Sequence, residues 1–155
     1  MNSPPPHART LDSMEKTEIY RRLRHVVEQA RRDATARRQR ATAAEQAGTT
    51  VLSDIAAPLF RSVVSALKTE GYSFRVSTPP GAVQLSSETS TDDVIELVLD
   101  TTRDPPALMG RIRRVWGSRV IATECVVKEE PGLDTVSEEE VLDFLLRELT
   151  PFVER

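Results

Sequence analysis

The sequence predicts an α+β protein with a long N-terminal helix, a second helix, a five-stranded antiparallel meander sheet and a C-terminal helix packed on one sheet face. Apolar residues before Gly71 recur every three or four positions, which is typical of amphipathic helices. Between Tyr72 and Lys128 the apolar period becomes two, and Pro and Gly separate the runs. The helical period returns after Ser137. Because two layers are the common solution for such an order, we expect both helices to share one face of the sheet.

The N-terminal third predicts a helical arm. Residues 1–11 contain three consecutive prolines, and we expect a disordered tip there. Asp12, with Glu15 three residues later, predicts a helix N-cap and capping box. Residues 12–48 then predict a long basic helix, since no Gly or Pro interrupts them before Gly48.

A weak coiled-coil seam runs along this arm. In one heptad register, most residues at the two inward positions, a and d, are small or apolar. Those positions hold Tyr20, Leu23, Val27, Ala30, Ala34, Arg37, Ala41 and Ala44. Because four of the eight are Ala and one is Arg, the seam allows close helix packing with little apolar burial per residue.

Residues 49–155 predict a compact α+β body. Gly48-Thr49-Thr50 predicts a break or a kink, and the second helix follows and ends at Gly71. Pro58 predicts either a bend or a helix whose first turn begins there. The five predicted strands are Tyr72–Ser77, Val83–Ser86, Val94–Thr101, Leu108–Trp116 and Arg119–Lys128. Pro80 and Gly81 predict a type II turn between the first two strands.

Gly117-Ser118 predicts a two-residue hairpin of type II′ between the last two strands. That turn sets a register in which Val115 faces Val120, Arg113 faces Ala122 and Arg111 faces Glu124. The predicted core face consists of Leu108, Gly110, Ile112, Ile121, Cys125 and Val127. The opposite face mixes apolar and charged side chains, and it is a predicted partner surface formed by Met109, Arg111, Arg113, Val120 and Val126.

Charge divides unevenly along the chain, although the net charge is −3. Residues 1–50 hold ten Lys and Arg against six Asp and Glu, a net +4, and residues 51–155 hold eleven against eighteen, a net −7. The single Cys allows no internal disulfide, and no secretory signal or membrane-spanning apolar run is visible. We therefore expect a cytoplasmic protein.

The sequence disfavours an enzyme. Both histidines, His7 and His25, lie in the N-terminal third, and Cys125 falls on the predicted core face. The acidic runs ETSTDD and EEPGLD lack the ligand spacing of a calcium loop, and the glycines form no phosphate-binding loop. We expect no catalytic residue, no cofactor and no metal.

The basic arm predicts binding. Helical spacing gathers five arginines on one side of it: Arg21, Arg24, Arg31, Arg32 and Arg38. The first interpretation is protein–protein interaction or self-association with an acidic surface such as the C-terminal helix. The alternative is a nucleic acid, whose phosphates Arg binds with two donors. A second alternative is a small-molecule pocket in the α+β body. A membrane partner is disfavoured because the arm lacks Trp, Phe and enough Leu to insert.

Overall fold

The computed structural model describes the backbone of residues 6–154 and the side chains of residues 15–154. This part of the chain contains three α-helices and a sheet of five strands, and the α+β prediction is confirmed. The helices are α1 (Pro6–Thr50), α2 (Ala57–Thr69) and α3 (Glu138–Val153). The strands are β1 (Phe74–Ser77), β2 (Ala82–Ser87), β3 (Val94–Asp100), β4 (Ala107–Trp116) and β5 (Arg119–Glu129).

The chain divides into two units, Met1–Gln39 and Arg40–Arg155. Helix α1 starts at Pro6, six residues before the N-cap predicted at Asp12. Pro suits a first helical position because its φ is already helical and its missing N–H would have no partner there. Residues 1–5 of the predicted Pro-rich tip lie outside the described part of the chain. The predicted three-part domain division stays a prediction.

Of the two alternatives predicted at Gly48, a break or a kink, the break is wrong, because the backbone stays helical from α1 into α2. A π-helical turn, Val51–Ala56, joins the two, and the N–H of Ala57 bonds to the carbonyl of Leu52. Gly48 is needed for packing, since a Cβ there would lie 2.6 Å from both methyl carbons of Leu99. Pro58 stands in the first turn of α2, one of its two predicted places. The wider turn before it avoids the clash that a Pro ring causes inside a continuous α-helix.

The sheet is an antiparallel meander in the order β1-β2-β3-β4-β5. The predicted type II turn is present, with the N–H of Ala82 bonding to the carbonyl of Pro79 at 3.0 Å and Gly81 at φ 73°. At the β4–β5 hairpin Gly117 has φ 64°, and no non-glycine residue of the described chain has positive φ, which identifies the predicted type II′ turn.

All three predicted pairs across this hairpin are confirmed. A register shift follows further from the turn, where Met109 faces Val126 but Leu108 faces Lys128. One residue of β5, Val127, is therefore extra at this point, which is the geometry of a β-bulge.

The core lies between one sheet face and the helices, with α2 against β1 and β2 and α3 against β3, β4 and β5. Its largest fully buried side chains are Phe60, Phe144, Leu85, Ile95, Leu97 and Leu108. Of the predicted core face, Ile112 and Gly110 are buried, whereas Cys125 and Val127 are half-buried. Ile121 is 37% exposed, contrary to the prediction, because it lies on the edge strand close to the hairpin turn.

One helical stretch of the described chain, Glu15–Thr69, meets a length and composition criterion for crossing a membrane. Its most apolar window has a mean hydropathy of 1.3, and 33% of that window is buried inside the protein. This result differs from the expectation that no apolar run of the chain is long enough to span a membrane. The window passes because Val51 to Leu67 contains only two charged residues, Asp54 and Arg61. Core helices of soluble proteins meet the same criterion, so it does not establish a membrane span.

Candidate interaction surfaces

The arginine side of α1 is open to solvent. From Glu15 to Gln39 every side chain is exposed except three that are half-buried: Glu18, Ala34 and Ala36. All five predicted contact arginines are therefore accessible. Three of them bond only to neighbours on the same helix: Arg21 to Glu18, Arg32 to Gln29 at 2.9 Å and Arg38 to Thr35 at 3.2 Å. Arg24 and Arg31 have no hydrogen bond or ion pair with the described residues.

Glu18 balances part of this charge locally. It accepts hydrogen bonds from Arg22 at 2.8 Å and from Arg21. The Arg22 bond is the largest cause that holds the pKa of Glu18 below its usual range. The carboxylate thus stays ionised beside the two guanidinium groups.

A set of large apolar side chains is exposed on the same helix. We call it the α1 stripe: Ile19 (61% exposed), Tyr20 (72%), Leu23 (56%), Val26 (61%) and Val27 (37%). The heptad pattern had placed Tyr20, Leu23 and Val27 at inward positions. Ile19 and Val26 extend the stripe, and their spacing of three and four residues from Leu23 could have predicted them.

An apolar groove lies between α2 and α3, on the side of the helices away from the sheet core. We call it the α2–α3 groove, and its volume is about 370 Å³. Its lining is Leu59, Ser62, Val63, Ala66, Leu67, Glu70, Leu142, Leu146 and Leu149. Leu146 is 50% exposed. The sequence does not predict this groove, because the apolar positions of both helices were expected to face the sheet.

The sheet face opposite the helices carries the other predicted surface. Arg111 lies between two carboxylates, with Glu124 at 3.4 Å and Asp100 at 3.5 Å. Arg113 is exposed, and Val120 and Val126 are 50% and 44% exposed.

Met109 is only 2% exposed and offers no surface to a partner, contrary to its predicted place in the interface. Its neighbours across the strands are Val98 and Val126, and both are less deeply covered than Met109 itself. A long flexible side chain on a central strand is covered by those around it.

A shallow groove of about 510 Å³ crosses this face. It is lined by Gln84, Val94, Glu96, Arg111, Ile112, Arg113, Ala122, Thr123 and Glu124. Gln84 donates to Glu96 at 2.5 Å, so the two are already paired. The groove therefore combines charged side chains of both signs with three apolar residues, Val94, Ile112 and Ala122.

Asp100, one of the two carboxylates that pair with Arg111, lies on this face at the end of β3. The hydroxyl and backbone N–H of Thr102 both donate to it, the N–H at 2.9 Å. The Thr102 hydroxyl bond is the largest cause that lowers the pKa of Asp100, and Arg111 adds to it. Asp followed by Thr two residues later at a strand end is a turn signal that sequence analysis left unused.

No known protein family, curated protein or solved structure matches the chain. What the chain does must therefore be argued from its surfaces.

Titratable residues form no group of three that could hold a metal among the described residues. His25 is exposed on α1, and Cys125 is half-buried beneath α3. Within the acidic run ETSTDD, Asp93 is only 3% exposed and accepts the backbone N–H of Val115 at 2.9 Å. That carboxylate ties the loop before β3 to the end of β4, which is a structural role.

Proposed function

We propose that the protein is a non-catalytic self-association module in which the α1 stripe of one copy packs into the α2–α3 groove of a second copy. The observation that carries the proposal is the α1 stripe, five large apolar side chains that are 37% to 72% exposed on one helix. Complete burial of such a side chain contributes about 1.5–3 kcal/mol. Covering most of the stripe would therefore support a specific contact.

The two surfaces match in length. The stripe spans the eight steps from Ile19 to Val27, and the apolar part of the α2 lining, which Glu70 ends, spans the eight steps from Leu59 to Leu67. At 1.5 Å per residue each is about 12 Å long. Both present side chains at intervals of three and four residues, which is the spacing at which helices interlock.

The charges around the two surfaces are complementary. Arg24 and Arg31 lie beside the stripe, by their position on the helix. On α3 the exposed Glu139 and Asp143 each precede a groove residue, Leu142 or Leu146, by three positions, so they lie beside the groove by their position on the helix. A reciprocal exchange of the two surfaces between two copies would close a symmetric dimer and leave neither surface open.

The test is the solution mass of the full chain by light scattering on a sizing column. We expect the wild-type chain to exceed the monomer mass. Leu23→Asp removes the centre of the stripe and Leu146→Asp charges the groove, so each should weaken this association at least tenfold. Gln39→Asp adds the same charge to an exposed position on the opposite side of α1 from the stripe, and its mass should equal that of the wild type.

Circular dichroism of each variant must match the wild type, because the comparison requires folded chains. A wild-type chain that stays monomeric at every concentration contradicts the proposal. If Leu23→Asp disrupts association and Leu146→Asp does not, α1 binds another surface and the groove assignment is wrong.

Nucleic-acid binding is a second candidate, and it is favoured by the exposed and unpaired Arg24 and Arg31. The net −7 of residues 51–155 opposes it, since an acidic surface repels phosphates. Titration of a short DNA duplex should then give an affinity that falls steeply with salt. Arg24→Glu with Arg31→Glu should abolish it, and binding that survives this change excludes the arm as the contact.

A further inference from the structure

We propose that the free edge of β5 pairs antiparallel with β5 of a second copy and joins two sheets into one. This surface is separate from the α1 stripe and the α2–α3 groove. It does not depend on the function proposed above.

β5 is the last strand of the sheet and pairs with β4 alone among the described strands. It has eleven residues, Arg119–Glu129, so its outer edge is about 37 Å long at 3.4 Å per residue. The other edge strand, β1, has only four residues. A long edge displays a row of unpaired N–H and C=O groups, which is a template for another strand.

The hairpin turn determines which residues of β5 point their backbone groups outward. In a β-turn the N–H of the fourth residue bonds to the carbonyl of the first, so Arg119 and Trp116 form a hydrogen-bonded pair. Antiparallel pairs alternate between hydrogen-bonded and non-hydrogen-bonded. The backbone groups that face the free edge are therefore those of Val120, Ala122, Glu124 and Val126.

The edge has few of the features that prevent strand pairing. β5 contains no Pro, and its side chains Val120, Ile121 and Val126 are 50%, 37% and 44% exposed. The β-bulge at Val127 interrupts regular pairing only beyond Val126. The segment from Val120 to Val126 is thus regular, apolar in large part and open.

One register fits this segment to itself. Residues with outward backbone groups must face each other, which places Thr123 or a neighbour on the two-fold axis. With Thr123 on the axis, Val120 faces the second copy's Val126, and Ile121 faces the second copy's Cys125. A shift of the axis to Glu124 would place this carboxylate opposite the second copy's Glu124, and like charges in that position are destabilising. A shift to Ala122 would place Val120 opposite the second copy's Glu124, so an apolar side chain would face a charge.

The same register gives Arg113 a partner. Arg113 is exposed and has no ion pair among the described residues, and its neighbour across β4 and β5 is Ala122. In the proposed pairing Ala122 faces the second copy's Glu124, a carboxylate that already pairs with Arg111 of its own chain at 3.4 Å and would then lie between two arginines. Because Ala is short, the Arg113 side chain can extend over it to that carboxylate.

Cross-linking tests the register in the full chain. Ile121→Cys, with Cys125 retained, places two thiols in a directly opposed non-hydrogen-bonded pair, whose Cα atoms lie about 4.5 Å apart. That separation is within disulfide range.

Oxidised glutathione should convert this variant into a covalent dimer. Val120→Cys is the matched control, because its thiol points to the opposite sheet face and meets Val126; it should stay monomeric on a non-reducing gel. No dimer from Ile121→Cys, or equal dimer from both variants, overturns the proposal.

The ion pair is tested in chains that also carry Leu23→Asp, so that association through α1 cannot contribute. Arg113→Glu should raise the dissociation constant about tenfold. Arg75→Glu makes the same change on the same face but on β1, at the far edge, and should leave the constant unchanged. Equal effects of the two changes contradict the register. A Leu23→Asp chain that still dimerises and cross-links supports the β5 contact even if the α1 proposal fails.

Discussion

Gly110 lies at the closest approach between the sheet and α3. A Cβ on this residue would lie 2.6 Å from Cζ of Phe144, nearer still to Cε2, and 3.1 Å from Sγ of Cys125. Phe144 is 2% exposed and has no room to withdraw. Gly110→Ala should therefore lower the free energy of unfolding by about 1–3 kcal/mol, measured by urea denaturation.

Phe144→Leu supplies the control for this contact. Alone it should be destabilising, because it leaves a cavity in the core. Combined with Gly110→Ala it should cost less than the sum of the two single changes, since the smaller side chain makes room for the new methyl group. Strict additivity would show that Gly110 matters for another reason.

Asp100 predicts a stability difference that depends on pH. Its pKa is lowered in the folded chain, chiefly by the Thr102 hydroxyl, from an ordinary value of 3.8. The ionised form therefore stabilises the fold above pH 3.8, and this contribution is lost as the pH falls through the lower folded pKa. Asp100→Asn should lower the free energy of unfolding at pH 7 by up to about 1 kcal/mol. The deficit should shrink when urea denaturation is repeated at pH 3, and a constant deficit would contradict the assignment.

At the scale of the elements, α3 depends on its N-cap. The N–H of Glu140 donates to the hydroxyl of Ser137 at 3.2 Å, which makes Ser137 the N-cap of this helix. Ser137→Ala should cost about 1 kcal/mol of stability in urea denaturation. Ser65→Ala, on the exposed side of α2 where the hydroxyl bonds only to the carbonyl of Arg61, is the control and should change stability by less than half as much. Equal losses in the two variants would mean that the cap bond contributes no more to stability than the Ser65 hydroxyl does.

The elements that sequence predicted well are those that local chemistry specifies. Gly117-Ser118 determines the hairpin and its register, and Ser137 determines where α3 begins. A Gly at position 48 suggested a helix break, but the residue is required by tertiary packing, since Leu99 leaves no room for a Cβ there. The π-helical turn that follows leaves no signal in an apolar pattern of three and four residues.

The candidate surfaces also divide into those that local sequence specifies and those that depend on tertiary contacts. Tyr20, Leu23 and Val27 were predicted from heptad spacing because an exposed helix keeps its own periodicity. The α2–α3 groove needed the distance between two helices, which no local pattern contains. The burial of Met109 likewise depends on its neighbours in adjacent strands.

At the scale of the whole molecule, the two proposed contacts predict an assembly larger than a dimer. Each copy would carry two self-complementary surfaces, and two such interfaces build a closed tetramer or an open chain. The wild-type mass should therefore exceed twice the monomer. Either Leu23→Asp or Arg113→Glu should shift it towards the dimer, and the combined variant towards the monomer, as measured by light scattering. A wild type that is a dimer and becomes monomeric with Leu23→Asp alone would leave no place for the β5 contact.

Salt should act differently on the two contacts. Exposed Arg and carboxylate pairs are screened as ionic strength rises, whereas backbone pairing between strands is not. Raising the salt should weaken association through α1, the more charged surface, before association through β5. In the Arg113→Glu variant the β5 contact is already weakened, so its mass, measured across a salt series, should fall towards the monomer as the α1 contact weakens.

The only Trp of the chain, Trp116, has a consequence for spectroscopy. It is 61% exposed at the end of β4, with the guanidinium carbon of Arg114 5.6 Å from its ring centre. Its indole is already in water in the native state, so unfolding of the core will hardly change the wavelength of its emission maximum. Trp fluorescence will instead report the surroundings of the β4–β5 hairpin tip, so unfolding of the core is better followed by another signal.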